Sequence, residues 1–505
     1  MYLKKKTDFI LNACLVLIGL SFFIPARIIG DFNGELIRIY IVIIFSIIPA
    51  PILFLNYKNQ NNNLFDFLVC IFFFYQAIKH INLFKYNFSS INVLLYFCYV
   101  LFYFMVKSFV TTYSAEKALG YVFKFMLFYI TFQIIYSQLQ ILEVVPSNHL
   151  IFKQTGTFVN PALFSGVLTV FMPLLIYGFI SSKVGYIKRI SISLFFISLV
   201  IICTSESRAS LLGLFLAISI LFFDRLDILK TLFASYKRWI IQSAFYLLLA
   251  VLLLLYSFQA AKINSVNGRI LIWKVSFKMI KEHPLIGNGT EYVSINYGKE
   301  QAKFFEEDKR QIKKFGFLAS NSTDTYNIFL RILSENGIVG LVLYSFLLVM
   351  IVKKALLKKN DRILFFLFSS LVAFVVIDCF TYLSKCVEAQ LIVLVVFPFF
   401  SISNNAISRR TNILLGLIQL ICYLLMLVII YKISFFKILQ MESRWRKINN
   451  QNISVKEKLY EYKCFKFYLN GNERFMLEYA KALQIFNKHE ESVVEYERLK
   501  KYSSD

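Results

Sequence analysis

Apolar stretches long enough to cross a membrane follow one another from residue 9 to about residue 432, separated mostly by short polar joints. A helix of about 20 apolar residues spans a hydrocarbon core of about 30 Å, and only helices or closed barrels satisfy their backbone groups there. The runs predict spans near 9–29, 37–56, 64–81, 91–110, 118–142, 162–182, 190–204, 208–223, 240–258, 327–352, 363–383, 388–402 and 411–432, about thirteen in all. They are continuous rather than alternating, which excludes a barrel of about ten-residue strands. The expected fold is all-α, a polytopic bundle of about 12–14 transmembrane helices.

Three segments break the pattern. Residues 143–161, EVVPSNHLIFKQTGTFVNP, form a long joint ahead of the sixth span, and residues from about 260 to 325 form a hydrophilic insert too long to be structureless in a compact protein. Within the insert, Ile270, Trp273, Phe277 and Ile280 recur at helical spacing with Lys274, Lys278 and Lys281 beside them, predicting a basic amphipathic helix. Such a helix suits a membrane surface or a site for anionic head groups; the plainer alternative is packing on the bundle. The third segment divides the chain into a transmembrane part, 1–435, and a charged, water-soluble helical tail, 436–505. In the tail, Tyr479, Ala482 and Leu483 precede a break at Asn487 and Lys488, followed by Val493, Val494 and Tyr496. This resembles a tetratricopeptide helix pair, suited to a protein partner, and also fits an ordinary helical hairpin.

Composition sharpens this picture. Hydrophobic residues make up 58% of the 505, with 55 Phe and 30 Tyr, so the lipid bilayer is the main solvent. A net charge of +25 raises nucleic acid as a partner, but the basic residues sit in short joints, as membrane orientation requires, and nucleic acid is discounted. Clusters such as Lys4 to Lys6, Lys188 with Arg189, Lys353 with Lys354, and Arg409 with Arg410 mark one side, against scattered Arg27, Lys153, Arg208 and Lys385 on the other. The N-terminus is therefore expected in the cytoplasm and, after an odd number of spans, the tail outside it. The first apolar run is long and lacks a small-residue cleavage site, so it is expected to remain as a span. Cys14, Cys70, Cys98, Cys203, Cys379 and Cys422 lie in apolar runs without a Cys-x-x-Cys pair, and His80, His149, His283 and His489 show no metal-ligand spacing. Neither a metal nor a cofactor is expected.

Arg208 interrupts two apolar runs in SESRASLLGLFLAI. An isolated arginine at a span end is usually a snorkelling anchor. On the expected topology, however, Arg269 opens the amphipathic segment on the same face. Two guanidiniums there would grip a diphosphate, because the planar fork matches phosphate oxygens and stays charged. His283 in KEHPLIGNG precedes Pro284 and a Gly-x-Gly turn, and is expected to cap or orient that turn, with direct catalysis the lesser alternative. NSTDTYNIFLRILSENGIVG, 321–340, re-enters the membrane with Asp324, Tyr326 and Asn327 at the boundary. One turn apart further on, Arg331 and Glu335 are expected to neutralise each other.

Four stretches, GTFVNPALFSGVLTVFMPLLI, SESRASLLGLFLAI, GRILIWKVSFKMIKEHPLIGNG and TYNIFLRILSENGIVGLVLYSFLLV, resemble in order and spacing the motifs of the O-antigen ligase and polymerase superfamily, over roughly residues 120–400. The resemblance implies a metal-independent, GT-C-like helical glycosyltransferase of the bacterial inner membrane. It would move a glycan from undecaprenyl diphosphate to a hydroxyl on lipid A core, on another glycan or on a protein. By motif position it implies Arg208 and Arg269 as diphosphate ligands, Gly156 and Asn160 in the donor site and His283 in the turn that follows; the residues themselves add Lys274 of the basic helix to substrate binding, and Asp324, Tyr326 and Asn327 at the re-entry to the catalytic set. Ligases commonly carry His-Asn where this chain has Tyr326-Asn327. A phenol is a poor base at neutral pH, which leaves Asp324 as the nearest ionised group.

An inverting glycan transferase of ligase type is thus the leading expectation, with a repeat-unit polymerase or a protein O-oligosaccharyltransferase as alternatives. A flippase for the same lipid is the rival from another class. A transporter should carry paired charges near the midplane. Only Lys124 and Asp378 are expected deep in the spans, which favours the enzyme.

Overall fold

The computed structural model describes residues 2–26, 34–55, 62–81, 90–149, 151–224, 263–289, 292–320, 322–358, 361–402, 409–433, 435–449, 454–469 and 473–500. The span expected at 240–258 lies outside them. The described residues form helices and no strand. In the first half these are α1 (Tyr2–Ser21), α2 (Gly34–Ile47), α3 (Ala50–Leu55), α4 (Leu64–Ile81), α5 (Ser90–Tyr113), α6 (Ala115–Ile141), α7 (Pro161–Ser181), α8 (Gly185–Thr204) and α9 (Arg208–Asp224). The insert contributes α10 (Ile263–Ile280), α11 (Tyr292–Glu307) and α12 (Lys309–Phe315). The chain then re-enters the bundle as α13 (Ile328–Leu357), α14 (Arg362–Asp378), α15 (Val387–Ser401) and α16 (Arg409–Ile433). The tail is α17 (Phe435–Asn449), α18 (Val455–Leu469), α19 (Glu473–Ile485) and α20 (His489–Lys500).

This is a polytopic helical membrane protein. By length and composition, α5, α6, α7, α8 and α13 can each cross a bilayer, and shorter apolar helices accompany them. In α5 and α7, 78% of the apolar window is buried, against 28% in α8 and α13, so the former are central and the latter face lipid. Phe196 and Val200 on α8 and Val342 and Val349 on α13 are among the exposed apolar side chains that lipid would cover. Close packing rests on small residues. A Cβ on Gly213 of α9 would lie 2.7 Å from Ile377 of α14, and one on Gly178 of α7 would lie 2.1 Å from Phe123 of α6.

The insert folds around its own small core of Leu271, Val275, Met279, Val293, Tyr297 and Phe315. The buried stripe of α10 is therefore not the expected one, since Phe277 is 54% exposed. Two apolar stripes compete on this helix, and packing of α11 and α12 selects the i, i+4, i+8 set. The tail shows a similar shift. Tyr479, Ala482 and Leu483 are buried as expected, but Val493 and Val494 are exposed, and α20 buries Ser492 and Glu495 instead. The Ser492 hydroxyl donates to the Ala480 carbonyl at 3.0 Å, and Glu495 pairs with Lys466 at 2.5 Å.

The spans also hold more paired charge than expected. Lys107 pairs with Asp66 at 2.6 Å, both fully buried between α5 and α4, and Arg38 of α2 forms an ion pair with Glu388 of α15. Lys124, expected to be deep, is exposed. These partners lie on helices far apart in sequence, which a one-dimensional reading does not pair.

Candidate functional site

Three helix N-termini and two inter-helix joints meet at one end of the bundle. Asn160 caps α7, accepting from the Ala162 amide at 2.8 Å, with Pro161 at the first helical position where its missing N–H costs nothing. Ser207 opens α9 by accepting from the Ser210 amide at 3.4 Å. The Ser210 hydroxyl lies 2.8 Å from that of Ser207 and 2.9 Å from that of Ser165, stitching α9 to α7. The turn between α8 and α9 is closed by Glu206 in the left-handed region, φ 55°, which fixes Arg208 as the first residue of α9. Asn327 caps α13, accepting from Phe329 and Leu330 amides at 3.0 and 3.1 Å, while its amide group donates to the Cys379 carbonyl at 3.3 Å. Helix N-termini of this kind carry partial positive charge and favour anions.

Arg269 of α10 reaches into this end and lies 5.8 Å from the centre of the Tyr326 ring. Burial lowers its proton affinity, the Tyr326 phenol opposes that, and the charge of Arg208 lowers it further. The charge of Arg208 is thus felt at Arg269, and a bound anion would favour the charged form of Arg269. Tyr326 adopts φ 50°, uncommon for a non-glycine residue, and its ring meets that of Tyr382 edge-on at 5.7 Å. The Tyr382 hydroxyl accepts from Asn160 at 3.1 Å, closing a chain Arg269, Tyr326, Tyr382, Asn160 from the insert to α7. Burial and the Asp324 charge raise the Tyr326 phenol. Burial and the Tyr326 phenol push Tyr382 up to about 12. Both are neutral hydroxyls across the ordinary pH range.

Asp324 does not stand free as a base. One oxygen accepts from the Tyr326 amide at 2.8 Å, and the other lies 2.8 Å from the Lys385 ammonium and 3.6 Å from Arg331. Burial raises its carboxyl, but Lys385 and Arg331 outweigh this and hold it below its ordinary value. Asp324 is thus the brace that holds Tyr326 in its unusual backbone. Arg331 is also not neutralised simply by Glu335 one turn away, because it pairs with Asp378 at 3.4 Å as well as with Asp324. Trp273 adds a tie from the insert, its indole donating to the Thr325 carbonyl at 3.0 Å.

The other sequence-derived candidates are placed differently. Gly156 takes φ 57°, and a Cβ there would lie 2.6 Å from the Gln133 amide oxygen and 2.7 Å from Phe164, so it shapes the joint ahead of Asn160. Lys274 turns to α12, donating to Gln311 at 3.3 Å and lying 5.1 Å from the Phe315 ring centre. His283 is exposed, and its carbonyl accepts from Gly287 at 2.9 Å, closing the turn. That turn fills a break in α13 at Gly337, φ 65°, ten residues or about 15 Å along the helix from Asn327. There Asn288 and Gly289 amides donate to Ser334 and Glu335 carbonyls at 2.9 Å, and the Ile338 amide donates to Pro284 at 2.9 Å. Arg38, Tyr382 and Lys385 are contributors that the sequence did not single out. Arg38 reaches the Thr157 carbonyl at 3.5 Å. Its only sequence signal was a charge just inside the second apolar run.

The fold and this end of it define a membrane protein that gathers Arg269, two neutral phenols and helix N-termini at one end of an apolar bundle. Residues 193–345 match the family model described as O-antigen ligase, and this stretch carries Arg208, the whole insert and the first part of α13. Over that stretch the chain is similar to the O-antigen ligase superfamily, which supports a ligase or polymerase type of function in general. No curated protein matches it.

Proposed function

We propose that the chain is an inverting glycan transferase that takes its glycan from undecaprenyl diphosphate and delivers it to an acceptor hydroxyl at the outer face of the bacterial inner membrane. The observation that carries this reading is Arg269 set 5.8 Å over the Tyr326 ring, next to the N-terminus of α13. The acceptor oxygen attacks the anomeric carbon, the bond to the diphosphate oxygen breaks, and the polyprenyl diphosphate leaves with the electron pair. The hydroxyl proton passes to water. Charge grows on the diphosphate as it leaves, so fixed guanidiniums in a partly dehydrated site stabilise the transition state more than the ground state. Tyr326 and Tyr382, being neutral, donate hydrogen bonds to the sugar or diphosphate rather than accept the proton. No metal is assigned a role.

The test is purified protein with glycan on undecaprenyl diphosphate and candidate acceptors, comparing the wild type with Arg208→Lys and Tyr326→His. Arg208→Lys keeps the charge and loses the fork, so binding of undecaprenyl diphosphate should weaken about tenfold or more. Unchanged binding would remove Arg208 from the clamp. A gain in transfer with Tyr326→His would favour a ligase-type site that lacks only its usual base.

A further inference from the structure

The turn that follows α10 points apolar side chains away from the protein. Pro284, Leu285 and Ile286 are all exposed, Leu285 by 65% and Ile286 by 55%, where a turn in water ordinarily carries polar residues. Its backbone carbonyls do the opposite and turn inward. That of His283 accepts from the Gly287 amide at 2.9 Å, that of Pro284 from Ile338 at 2.9 Å, that of Leu285 from Val339 at 3.2 Å, and that of Ile286 from the Tyr75 hydroxyl of α4 at 3.2 Å. Water would serve these carbonyls without help, whereas hydrocarbon cannot, so irregular backbone near membrane depth has to find its partners in the protein.

The height of the turn follows from what it touches. It fills the break in α13 at Gly337, and from Ile338 to Lys353, the next charged residue along the helix, α13 rises about 22 Å. A hydrocarbon core is about 30 Å deep and tilt only shortens the rise across it, so the turn lies just inside the edge of the core. The surface it joins is a lipid-facing one. Ile338, Val339, Val342, Phe346 and Val349 are exposed and fall on one side of α13, and the turn is hydrogen-bonded to the first two. Leu285 and Ile286 therefore carry the apolar stripe of α13 across onto the insert. Lys281, Glu282 and His283, all exposed, stand just ahead of it as a polar rim at head-group level.

We infer that this turn is a lipid anchor: Pro284, Leu285 and Ile286 sit among the acyl chains of the bilayer and moor the insert there. The helix that carries Arg269 is then tied at two places, through Trp273 to the Thr325 carbonyl and through the turn after Ile280 to the membrane. The anchor concerns how the insert is held and stands apart from the reaction assigned to the site.

The test places a nitroxide on Leu285→Cys or Ile286→Cys in a Cys464→Ser chain reconstituted into vesicles of phosphatidylcholine and phosphatidylglycerol. Val342→Cys reports the lipid face of α13, and Arg310→Cys, at a side chain 91% exposed on the insert, reports water. Collisions are measured with oxygen and with a water-soluble nickel chelate, each corrected for the Cys464→Ser parent. The oxygen-to-nickel ratio at 285 and 286 should match that at 342 and exceed that at 310 about tenfold, because apolar oxygen partitions into lipid and the hydrated chelate does not. A ratio like that at 310 would put the turn in water and overturn the inference. So would a label shielded from both reagents, which would give this face to a protein partner or a second copy. A phospholipid with an acyl-chain diazirine reads the unaltered chain in the same vesicles: adducts on residues 284–286 as well as on Val342 support the anchor, and adducts on Val342 without them remove it.

Discussion

Asp324 shows how a residue with the right chemistry is withdrawn from it by its neighbours. A carboxylate near the acceptor end of the site is the natural base on paper. Buried at 3% exposure between Lys385 and Arg331, it instead has a depressed proton affinity and holds the Tyr326 amide. Removing one partner of a buried ion pair typically costs about 3–5 kcal/mol because the other charge is left uncompensated. Asp324→Asn should therefore lower thermal stability along with transfer, rather than cut kcat alone, and unfolding in detergent beside single-turnover rates will separate the two. The pH dependence has a definite sign. With the folded value below the ordinary carboxylate value of about 3.9, the ion pairs contribute fully above that pH and are lost as pH falls through the folded value. Acid destabilisation from this group should thus appear only below about pH 4, and be absent in Asp324→Asn.

Among the elements, α13 depends on its break. Gly337 and Gly287 both adopt positive φ, and each would drive a Cβ into the other's segment: 2.3 Å from the Leu285 oxygen for Gly337 and 2.4 Å from the Gly337 nitrogen for Gly287. Either Gly→Ala change adds backbone strain of about 1–3 kcal/mol to a backbone clash. We expect a marked fall in unfolding temperature and yield for both, with Gly268→Ala, where nothing lies within 4 Å of the added carbon, serving as the neutral comparison. Asn160→Ala should be milder on stability, about 0.5–2 kcal/mol for the lost cap. It also frees Tyr382 from its donor, so a larger loss in transfer than in stability would mark a role in the site.

At the scale of the molecule, the orientation of the tail is open to a direct measurement. Cys464 on α18 is exposed, while the other cysteines are buried or half-buried. A membrane-impermeant maleimide should label Cys464 in spheroplasts without lysis if the tail lies outside the cytoplasm. Labelling only after lysis would reverse the topology and change the span count by one. A chain ending after residue 434 should keep transfer to a small acceptor, since Arg208, Arg269, Tyr326 and the insert all precede α17.

Period and length settled much of this protein in one dimension. Continuous apolar runs of membrane length can only be helices in lipid, so the all-helical polytopic class, the turn at residues 205–207 and the re-entry at Asn327 follow from solvent alone. Arg208 and Asn327 were legible as helix starts, because short turns and caps fix where a helix begins. Burial, pairing and facing were not legible, since they depend on helices far apart in sequence. Whether α10 turns Phe277 or Val275 inward and whether Arg331 meets Glu335 or Asp378 are set by packing, where a helix offers several faces and only its neighbours choose among them.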